Sequence, residues 1–430
     1  MDGPDVRRAT GMGAPTIPDA DPYLPAAKER RQGVALCLSG GGFRAALFHL
    51  GAARRLNELG VLSRVDTYSA VSGGSIFLAF LADRVHPWPA SGESVADWEE
   101  RVARPFRGFT AHNLRTPPLM RRLLPWNWLN ESAAVEALQQ RYRDRVTRLT
   151  LGELPDQPRF IFSATDMAYG VNWIFQKGRV GDYRAGYLRL AEGYPVARAV
   201  AASSCFPPVF PPMRAGIEPE QLTGGTERRG EERDKLVRDL RLTDGGVYDN
   251  MGLEPVWKSH RTVLVSDGGG TFDPVLDKGL LLRLSRYVSL LGKQSSALRK
   301  RWIIASFKTG AMEGTYWGVG SHAAHYGQEA TGYSGAIVDA IISEMRTDMD
   351  AFSPAEAAVL ENHGYLLADA AMQKHAPGLL GANAVPLRIP HSAWMDEDRV
   401  RAALSDSHRV VLLGRWRLPR AVARFVNWTL

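Results

Sequence analysis

The feature that most constrains this chain is a repeated pattern of an apolar run, a glycine-rich turn and a helical segment. The first copy leads from Val34–Leu38 through Ser39–Gly42 into an apolar-periodic stretch that is closed by Gly60. The second leads from Val65 through Val71–Gly74 into another apolar helix. Continuous apolar runs are typical of strands buried on both faces, as in parallel sheets with helical crossovers. The pattern therefore predicts an α/β fold.

Other segments extend this pattern along the chain. Strands are predicted at Arg159–Ala164, Val263–Asp267 and Trp302–Phe307, and helices at about Ala197–Ala202, Leu280–Lys300, Ser334–Asp348 and Pro354–Ala370. The domain organisation predicted from these elements is a flexible, proline-rich tail (1–32), a catalytic core (33–270) and a C-terminal extension packed on the same domain (271–430). The core carries predicted insertions at about 86–140 and 215–240.

Composition excludes several classes of protein. The chain has 45% hydrophobic and 23% charged residues, as ordinary globular proteins do, so a disordered or collagen-like chain is excluded. We see neither an apolar run of the roughly 18–20 residues needed to span a bilayer nor a signal peptide. The only two cysteines, Cys37 and Cys205, cannot form a disulfide framework and are expected to be buried. We expect a cytoplasmic protein.

Basic residues are numerous and mostly arginine. Of 53 basic residues nine are lysine, and the chain has eleven tryptophans. This composition is compatible with nucleic acid, a membrane surface or an ordinary solvated surface. No nucleic-acid motif and no concentrated basic patch accompanies it, so we expect no nucleic-acid partner.

Ser72 is the candidate nucleophile. It lies in Ala70-Val71-Ser72-Gly73-Gly74 between an apolar strand and an apolar helix, which approximates the G-x-S-x-G elbow. Small neighbours are required there because the serine occupies a sharp, strained turn. Ala70 replaces the first glycine of that pattern, at a cost if its φ were positive. A glycine-rich turn with an incidental serine is the alternative interpretation.

A second glycine-rich turn, Gly40-Gly41-Gly42-Phe43-Arg44, precedes the first helix. Glycines leave backbone N–H groups unobstructed, and a helix N-terminus favours negative charge, so such a turn suits phosphate or an oxyanion. The phosphate-binding lysine and the dinucleotide glycine spacing are missing. Arg44 lies in the first helical turn, where a cation is unfavourable, so we expect an anionic or carbonyl partner for it.

Asp244 is the candidate carboxylate, in Asp244-Gly245-Gly246 at the end of a strand. By itself D-G-G is a common turn, and Asp267-Gly268-Gly269 repeats it. Four motifs, taken in their order along the chain, resemble the patatin-like phospholipase family. They are the G-G-G-x-R turn, the serine elbow, a proline-rich block from Ala202 to Pro212 and the D-G-G stretch through Pro255. The resemblance favours Asp244 over Asp267 because the context of Asp244 continues through Asn250 and Pro255.

The resemblance implies a patatin-like three-layer α/β/α sandwich with a mainly parallel sheet, and acyl-ester hydrolysis without a cofactor. Ser72 is implied as nucleophile and Asp244 as base. The oxyanion hole is implied at the backbone of Gly40, Gly41, Gly42 and Gly73, with Arg44 reinforcing it or contacting a lipid phosphate. The expected partners are a phospholipid or other lipid ester and, transiently, a membrane surface. The oligomeric state stays open.

Two other functions compete with this prediction. One is a lipid-binding pseudoenzyme on the same fold, and the other is a Ser-His-Asp esterase. We expect His49 to be packed in the core, and no acidic or third histidine motif supports metal binding by His322 and His325. The paired aspartates (Asp19 with Asp21, Asp348 with Asp350, Asp396 with Asp398) are interpreted as solvated surface.

Three segments are candidates for membrane contact. Phe106–Leu129 and Arg415–Trp428 mix aromatic residues with arginines, a combination that suits lipid headgroups. In the helix predicted from Leu280, Arg283, Arg286, Lys293 and Lys300 occupy one sector, and leucines with Val288 occupy another. The alternative for this helix is a core face opposite a solvated face.

Overall fold

A computed structural model describes residues 31–122, 130, 132–189, 191–207, 209–270, 280–409, 411–412 and 416–417. Within these ranges the chain forms an eleven-stranded sheet and a separate two-stranded ribbon. The strands are β1 Val34–Leu38, β2 Thr67–Val71, β3 Arg159–Asp166, β4 Val171–Gln176, β5 Arg179–Asp182, β6 Gly186–Leu188, β7 Met213–Arg214, β8 Leu222–Thr223, β9 Arg241–Asp244, β10 Thr262–Asp267, β11 Glu313–Gly318, β12 Val411–Leu412 and β13 Trp416–Arg417. The helices are α1 Gly42–Glu58, α2 Gly73–Arg84, α3 Arg104–Thr110, α4 Thr116–Arg122, α5 Ala133–Arg145, α6 Val196–Ser204, α7 Glu231–Arg238, α8 Gly246–Asp249, α9 Leu280–Lys308, α10 Gly335–Ile337, α11 Pro354–His375 and α12 Glu397–Leu404.

The first half of the sheet is parallel, in the order β11-β10-β1-β2-β3. Alternate residues of β1 enter different cores: Leu36 and Leu38 pack in the larger apolar cluster, Ala35 and Cys37 in the smaller one. Because successive strand side chains point to opposite faces, both faces of this strand are covered. The predicted three-layer α/β architecture is confirmed, and Cys37 and Cys205 are buried as expected.

The second half of the sheet is antiparallel, running from β3 through β4, β5 and β6 to β8. Two hairpins in it turn at Gly170 and Gly178, both of which have a positive φ. These strands are not predicted from the sequence, because each has only two to six residues.

Two predicted elements differ from the structure. The predicted strand Trp302–Phe307 is wrong, because these residues form the last turns of α9. Ile303 packs fully buried in the smaller core, and the helix continues until just before Gly310, whose φ is +73°. In the predicted helix Ser334–Asp348, helical structure covers α10 and one wide turn that ends at Ile342.

Helices α1 and α11 cross at two glycines. A Cβ atom on Gly51 would collide with the carbonyl oxygen of Glu361, and one on Gly364 would collide with that of Phe48. The absence of side chains lets the two backbones touch. The C-terminal third thereby packs against the first helix of the predicted core, while the exact domain boundaries stay a prediction.

Candidate active site

Two strands meet end to end beside β3. Strand β2 pairs with the first part of β3, up to Val71 opposite Ser163. Strand β9 pairs antiparallel with the next part of β3, starting at Asp244 opposite Ala164. Strand β4 occupies the other edge of β3, so β2 and β9 share one edge. The residue after β2, Ser72, therefore meets the last residue of β9.

Ser72 occupies a strained turn. Its φ of 49° with ψ of −116° lies outside the regions that L-residues normally adopt. Its side chain is largely buried, and helix α2 begins at the next residue. Ala70, by contrast, lies inside β2 and is not among the residues with positive φ. The alanine at this position therefore causes no strain.

The two glycine-rich turns press against each other. A Cβ atom on Gly73 would collide with the carbonyl oxygen of Gly42, and one on Gly40 would lie 3.1 Å from the Cβ of Ser72. Among the described residues, the backbone N–H groups of Gly41, Gly42 and Gly73 have no hydrogen-bond acceptor. N–H groups without an acceptor therefore lie in the two turns that contact each other beside Ser72, at the N-termini of α1 and α2.

Gly40 differs from the other three glycines. Its N–H donates to the backbone carbonyl of Asn250 at 2.9 Å. The expectation that Gly40 is an oxyanion donor is therefore wrong. Its role is close packing, since a side chain here would collide with Asn250 Oδ1.

Asp244 presents one carboxylate oxygen without a partner. Its Oδ1 accepts the Gly246 N–H at 2.7 Å, and its backbone carbonyl accepts the Thr165 hydroxyl at 2.9 Å. The Oδ2 atom is buried with no partner at hydrogen-bond distance. Burial raises the pKa of Asp244 to about 7, and hydrogen bonding toward Ser72 and Gly246 opposes that rise. Catalytic hydrogen bonds are often long before substrate binds.

The comparison with known families fits this geometry. The model of the family described as patatin-like phospholipase matches residues 36–257, more than half of the chain. The chain belongs to the patatin-like phospholipase family. No curated protein matches the chain.

Solved structures similar to this patatin-like phospholipase come from human and bacterial proteins. Human GIVD cytosolic phospholipase A2 is 14% identical, with a TM-score of 0.37 over 55% of this chain and 46% of that one. Its complex with methyl gamma-linolenyl fluorophosphonate gives 13% identity and a TM-score of 0.44, over 86% and 59% of the chains. VipD from Legionella pneumophila gives 16% identity and a TM-score of 0.33, over 81% and 67%. The chain thus spans about half the length of the human structures.

Asp267 and the histidines have other partners. The Asp267 carboxylate accepts the Tyr316 hydroxyl at 2.8 Å and the Gly269 N–H at 2.9 Å. His49 is buried, as expected, with its ring nitrogens on Ser266 Oγ and the Ser39 carbonyl. Burial lowers its pKa to about 4. No histidine of the described ranges hydrogen-bonds the side chain of Ser72 or Asp244, which disfavours a Ser-His-Asp arrangement.

Arg44 is a structural residue of this patatin-like phospholipase. Its guanidinium is buried and donates to the backbone carbonyls of Gly268, Ser343 and Met345. The expected carbonyl partners are confirmed. Contact with a lipid phosphate or with the oxyanion is contradicted, because the group is enclosed by these carbonyls.

Two residues that the sequence does not point to support the turns of the site. Asp348 accepts the Phe43 N–H on its backbone carbonyl at 2.8 Å, and its carboxylate pairs with Arg115. Both Asp348 and Asp350 are buried, so the interpretation of this pair as solvated surface is wrong. Ser203, in the proline-rich block, accepts the Ser72 N–H. No local pattern marks either residue, because each acts through a contact that is distant in sequence.

The two histidines at helical spacing and the described helices bear on metal and membrane binding. Within the described ranges, no group of three His, Cys, Asp or Glu residues suits a metal ion. His322 stacks on His325 and pairs with Asp339. None of the described helices combines the length and apolarity that crossing a bilayer requires.

The Phe106–Leu129 segment does not present its phenylalanines to a membrane. Phe106 and Phe109 are buried and contact each other in an aromatic cluster with Phe80. Arg107 pairs with Glu99 and Glu361. Expected lipid contacts of these side chains are therefore wrong. Trp126 and Trp128, and all of Arg415–Trp428 except two residues, lie outside the described residues.

Proposed function

We propose that the protein cleaves carboxyl esters of phospholipids or other lipids, as an acyl hydrolase of the phospholipase A or lysophospholipase type, through a Ser72–Asp244 dyad. We propose further that it visits a membrane surface transiently. The observation that carries this proposal is the end-to-end approach of β2 and β9. It brings a strained serine against a buried aspartate whose Oδ2 has no other partner.

Acylation begins at Ser72. Its Oγ attacks the ester carbonyl carbon while Asp244 Oδ2 takes the hydroxyl proton. A carboxylate of ordinary pKa, about 3.9, is a weak base toward a serine hydroxyl. The pKa of about 7 that burial gives Asp244 matches a base working near neutral pH. The proton then passes from Asp244 to the departing alcohol, which leaves the acyl group on Ser72.

The oxyanion of the tetrahedral intermediate is accepted by the N–H groups of Gly41, Gly42 and Gly73. Each such donor contributes about 3 kcal/mol to lowering the barrier. The dipoles of α1 and α2 add to this stabilisation. In the second half of the reaction, Asp244 removes a proton from water, which attacks the acyl carbon. The proton then passes from Asp244 to the departing Ser72 Oγ, and the fatty acid is released.

The test combines active-site labelling with product analysis. Wild type, Ser72→Ala and Asp244→Asn are incubated with a fluorophosphonate and, separately, with mixed phospholipids. We expect an adduct on Ser72 of the wild type, and a loss of lipid hydrolysis of about a thousandfold or more in both variants.

Asp267→Asn is the matched control, because it alters the second D-G-G sequence without touching the dyad. It should retain labelling by the fluorophosphonate. An unlabelled Ser72 in a folded wild type would favour the pseudoenzyme, and activity in Asp244→Asn but not in Asp267→Asn would reverse the assignment of the base.

A further inference from the structure

Helix α9 is longer than the sheet it crosses. It joins the end of β10 to the start of the parallel strand β11, so it runs from the carboxyl edge of the sheet to the amino edge. Its 29 residues span about 43 Å. The six residues of β10 span about 20 Å. About half of the helix therefore extends beyond the carboxyl edge, where the catalytic turns lie.

The contacts of the helix agree with this placement. The first buried side chain that the structure describes in α9 is Ile303, near its C-terminal end. Arg299 lies beside the active-site edge, 5.2 Å from the Tyr248 ring and 3.6 Å from the Asp249 carboxylate. From Arg283 to Trp302, none of the described side chains is buried.

The exposed face of α9 carries three large apolar side chains, with exposed Gln294 among them. Tyr287, Leu291 and Leu298 are 52%, 73% and 60% exposed. At 100° per residue they fall within a stripe about 40° wide. Because Leu291 and Leu298 are exposed, the alternative in which the leucines of this helix form a core face is wrong for these two residues. An exposed apolar stripe is unusual, since a solvated helix face is normally polar.

The charge of α9 is entirely of one sign. The helix contains seven lysine and arginine residues and no aspartate or glutamate. Exposed Arg283 and Arg301 lie on the same side as the apolar stripe, toward its two ends. A basic helix with an exposed apolar stripe suits the interface of an anionic bilayer, where apolar side chains enter the acyl boundary and cations meet headgroups.

We infer that the projecting half of α9 is the membrane-docking element of the enzyme and that its occupant is an anionic lipid surface. Tyr287, Leu291 and Leu298 insert into the headgroup boundary. The carboxyl edge of the sheet then faces the bilayer, which presents ester bonds to Ser72. The inference rests on the proposed function for its consequence on turnover, whereas docking itself is independent of catalysis.

Docking is tested by flotation with phosphatidylcholine vesicles, with and without phosphatidylserine, using Ser72→Ala protein so that no lipid is consumed. The variant Tyr287→Gln/Leu291→Gln/Leu298→Gln keeps helix-forming residues and every charge. We expect the Ser72→Ala parent, with α9 unchanged, to bind vesicles that contain phosphatidylserine in preference to those that do not. The α9 variant should bind them at least about tenfold less tightly. Leu236→Gln/Leu387→Gln removes two exposed leucines elsewhere and should bind like the parent.

Turnover separates this inference from the proposed function. With Ser72 intact, the α9 variant should hydrolyse a short, soluble ester as wild type does, and vesicle phospholipid about tenfold more slowly or worse. If wild type hydrolyses neither substrate but still binds vesicles through α9, the proposed function fails and docking stands.

Several outcomes would overturn the docking inference. One is equal vesicle binding by the parent and the α9 variant. Another is failure of the folded parent to bind phosphatidylserine vesicles at low salt. A third is dimerisation in sedimentation experiments that the α9 variant abolishes without any change in vesicle binding, since the stripe would then be a contact between copies of this chain.

Discussion

The Oγ atom of Ser203 accepts a hydrogen bond from the backbone N–H of Ser72 at 2.9 Å. The same hydroxyl donates to the Ser163 carbonyl in β3 at 2.7 Å and lies 2.8 Å from the Ser75 hydroxyl. Ser203 is fully buried. One hydroxyl in α6 thus connects the strained backbone of the nucleophile to the strand on which β2 and β9 meet.

Replacing Ser203 with alanine should lower kcat more than it changes KM. The substitution leaves the buried N–H of Ser72 without its acceptor, at a cost of about 1–3 kcal/mol. Because this hydrogen bond holds the strained backbone of Ser72, its loss should displace the nucleophile. We expect the rate of fluorophosphonate labelling of Ser72 to fall by about tenfold or more.

Ser204→Ala is the matched control for this prediction. Ser204 is also buried, but its hydroxyl contacts Val200 and Tyr142 rather than the Ser72 turn. An equal loss of labelling in both variants, or a loss explained by reduced stability in thermal unfolding, would contradict a positioning role for Ser203.

The pH dependence of the reaction should follow Asp244. Because its pKa is raised to about 7, the carboxyl is protonated at acidic pH and cannot accept the Ser72 proton. We expect kcat/KM for a soluble ester to rise about tenfold per pH unit below 7 and to level off above it. A profile already level at pH 5 would contradict this assignment.

A pair of buried carboxyls away from the active site should make the free energy of unfolding depend on pH. Asp166 and Asp182 are buried neighbours, and burial is the largest cause that raises the pKa of each, to about 7 for Asp182. The interaction between the two carboxyls raises the pKa of Asp182 further and lowers that of Asp166. The unfolded value is about 3.9. The stabilising contribution of this group is therefore complete below about pH 4 and is lost as the pH rises through 7.

The variant Asp182→Asn removes this dependence. The amide oxygen can still accept the N–H groups of Arg184 and Ala185, and the amide nitrogen can donate to Asp166. Above pH 8 we expect the variant to exceed wild type in free energy of unfolding by about 2 kcal/mol, with the difference shrinking toward pH 5. Urea unfolding across this range measures it, and a constant difference would refute the shared proton.

Replacing Arg44 with lysine should destabilise the fold without altering lipid preference. Lysine keeps the charge but cannot reach three carbonyls from one planar group. We expect a loss of about 3 kcal/mol in free energy of unfolding. The ratio of activities on phospholipid and neutral lipid ester should stay unchanged. A selective loss on phospholipid would instead indicate a phosphate contact.

Much of the architecture is readable from local pattern. Strands β1, β2 and β10 are buried almost throughout, and the glycines after β1 and β2 mark the turns that form the site. The antiparallel strands β4, β5, β6 and β8 escape prediction because they have two to six residues each, which is too short for a clear apolar pattern. The Trp302–Phe307 segment misleads because an apolar run is the same whether a buried helix or a strand contains it.

From the sequence alone we could predict the α/β class, the serine turn and the glycine-rich turns, because each depends on residue types within a few positions, and the family resemblance added the choice of Asp244. Only the tertiary structure decided which glycine is free to donate, that Arg44 is enclosed and that Ser203 and Asp348 support the site. It also showed that the apolar stripe of α9 faces outward. These facts depend on burial and on hydrogen-bond partners, which the chain acquires only when distant segments pack together.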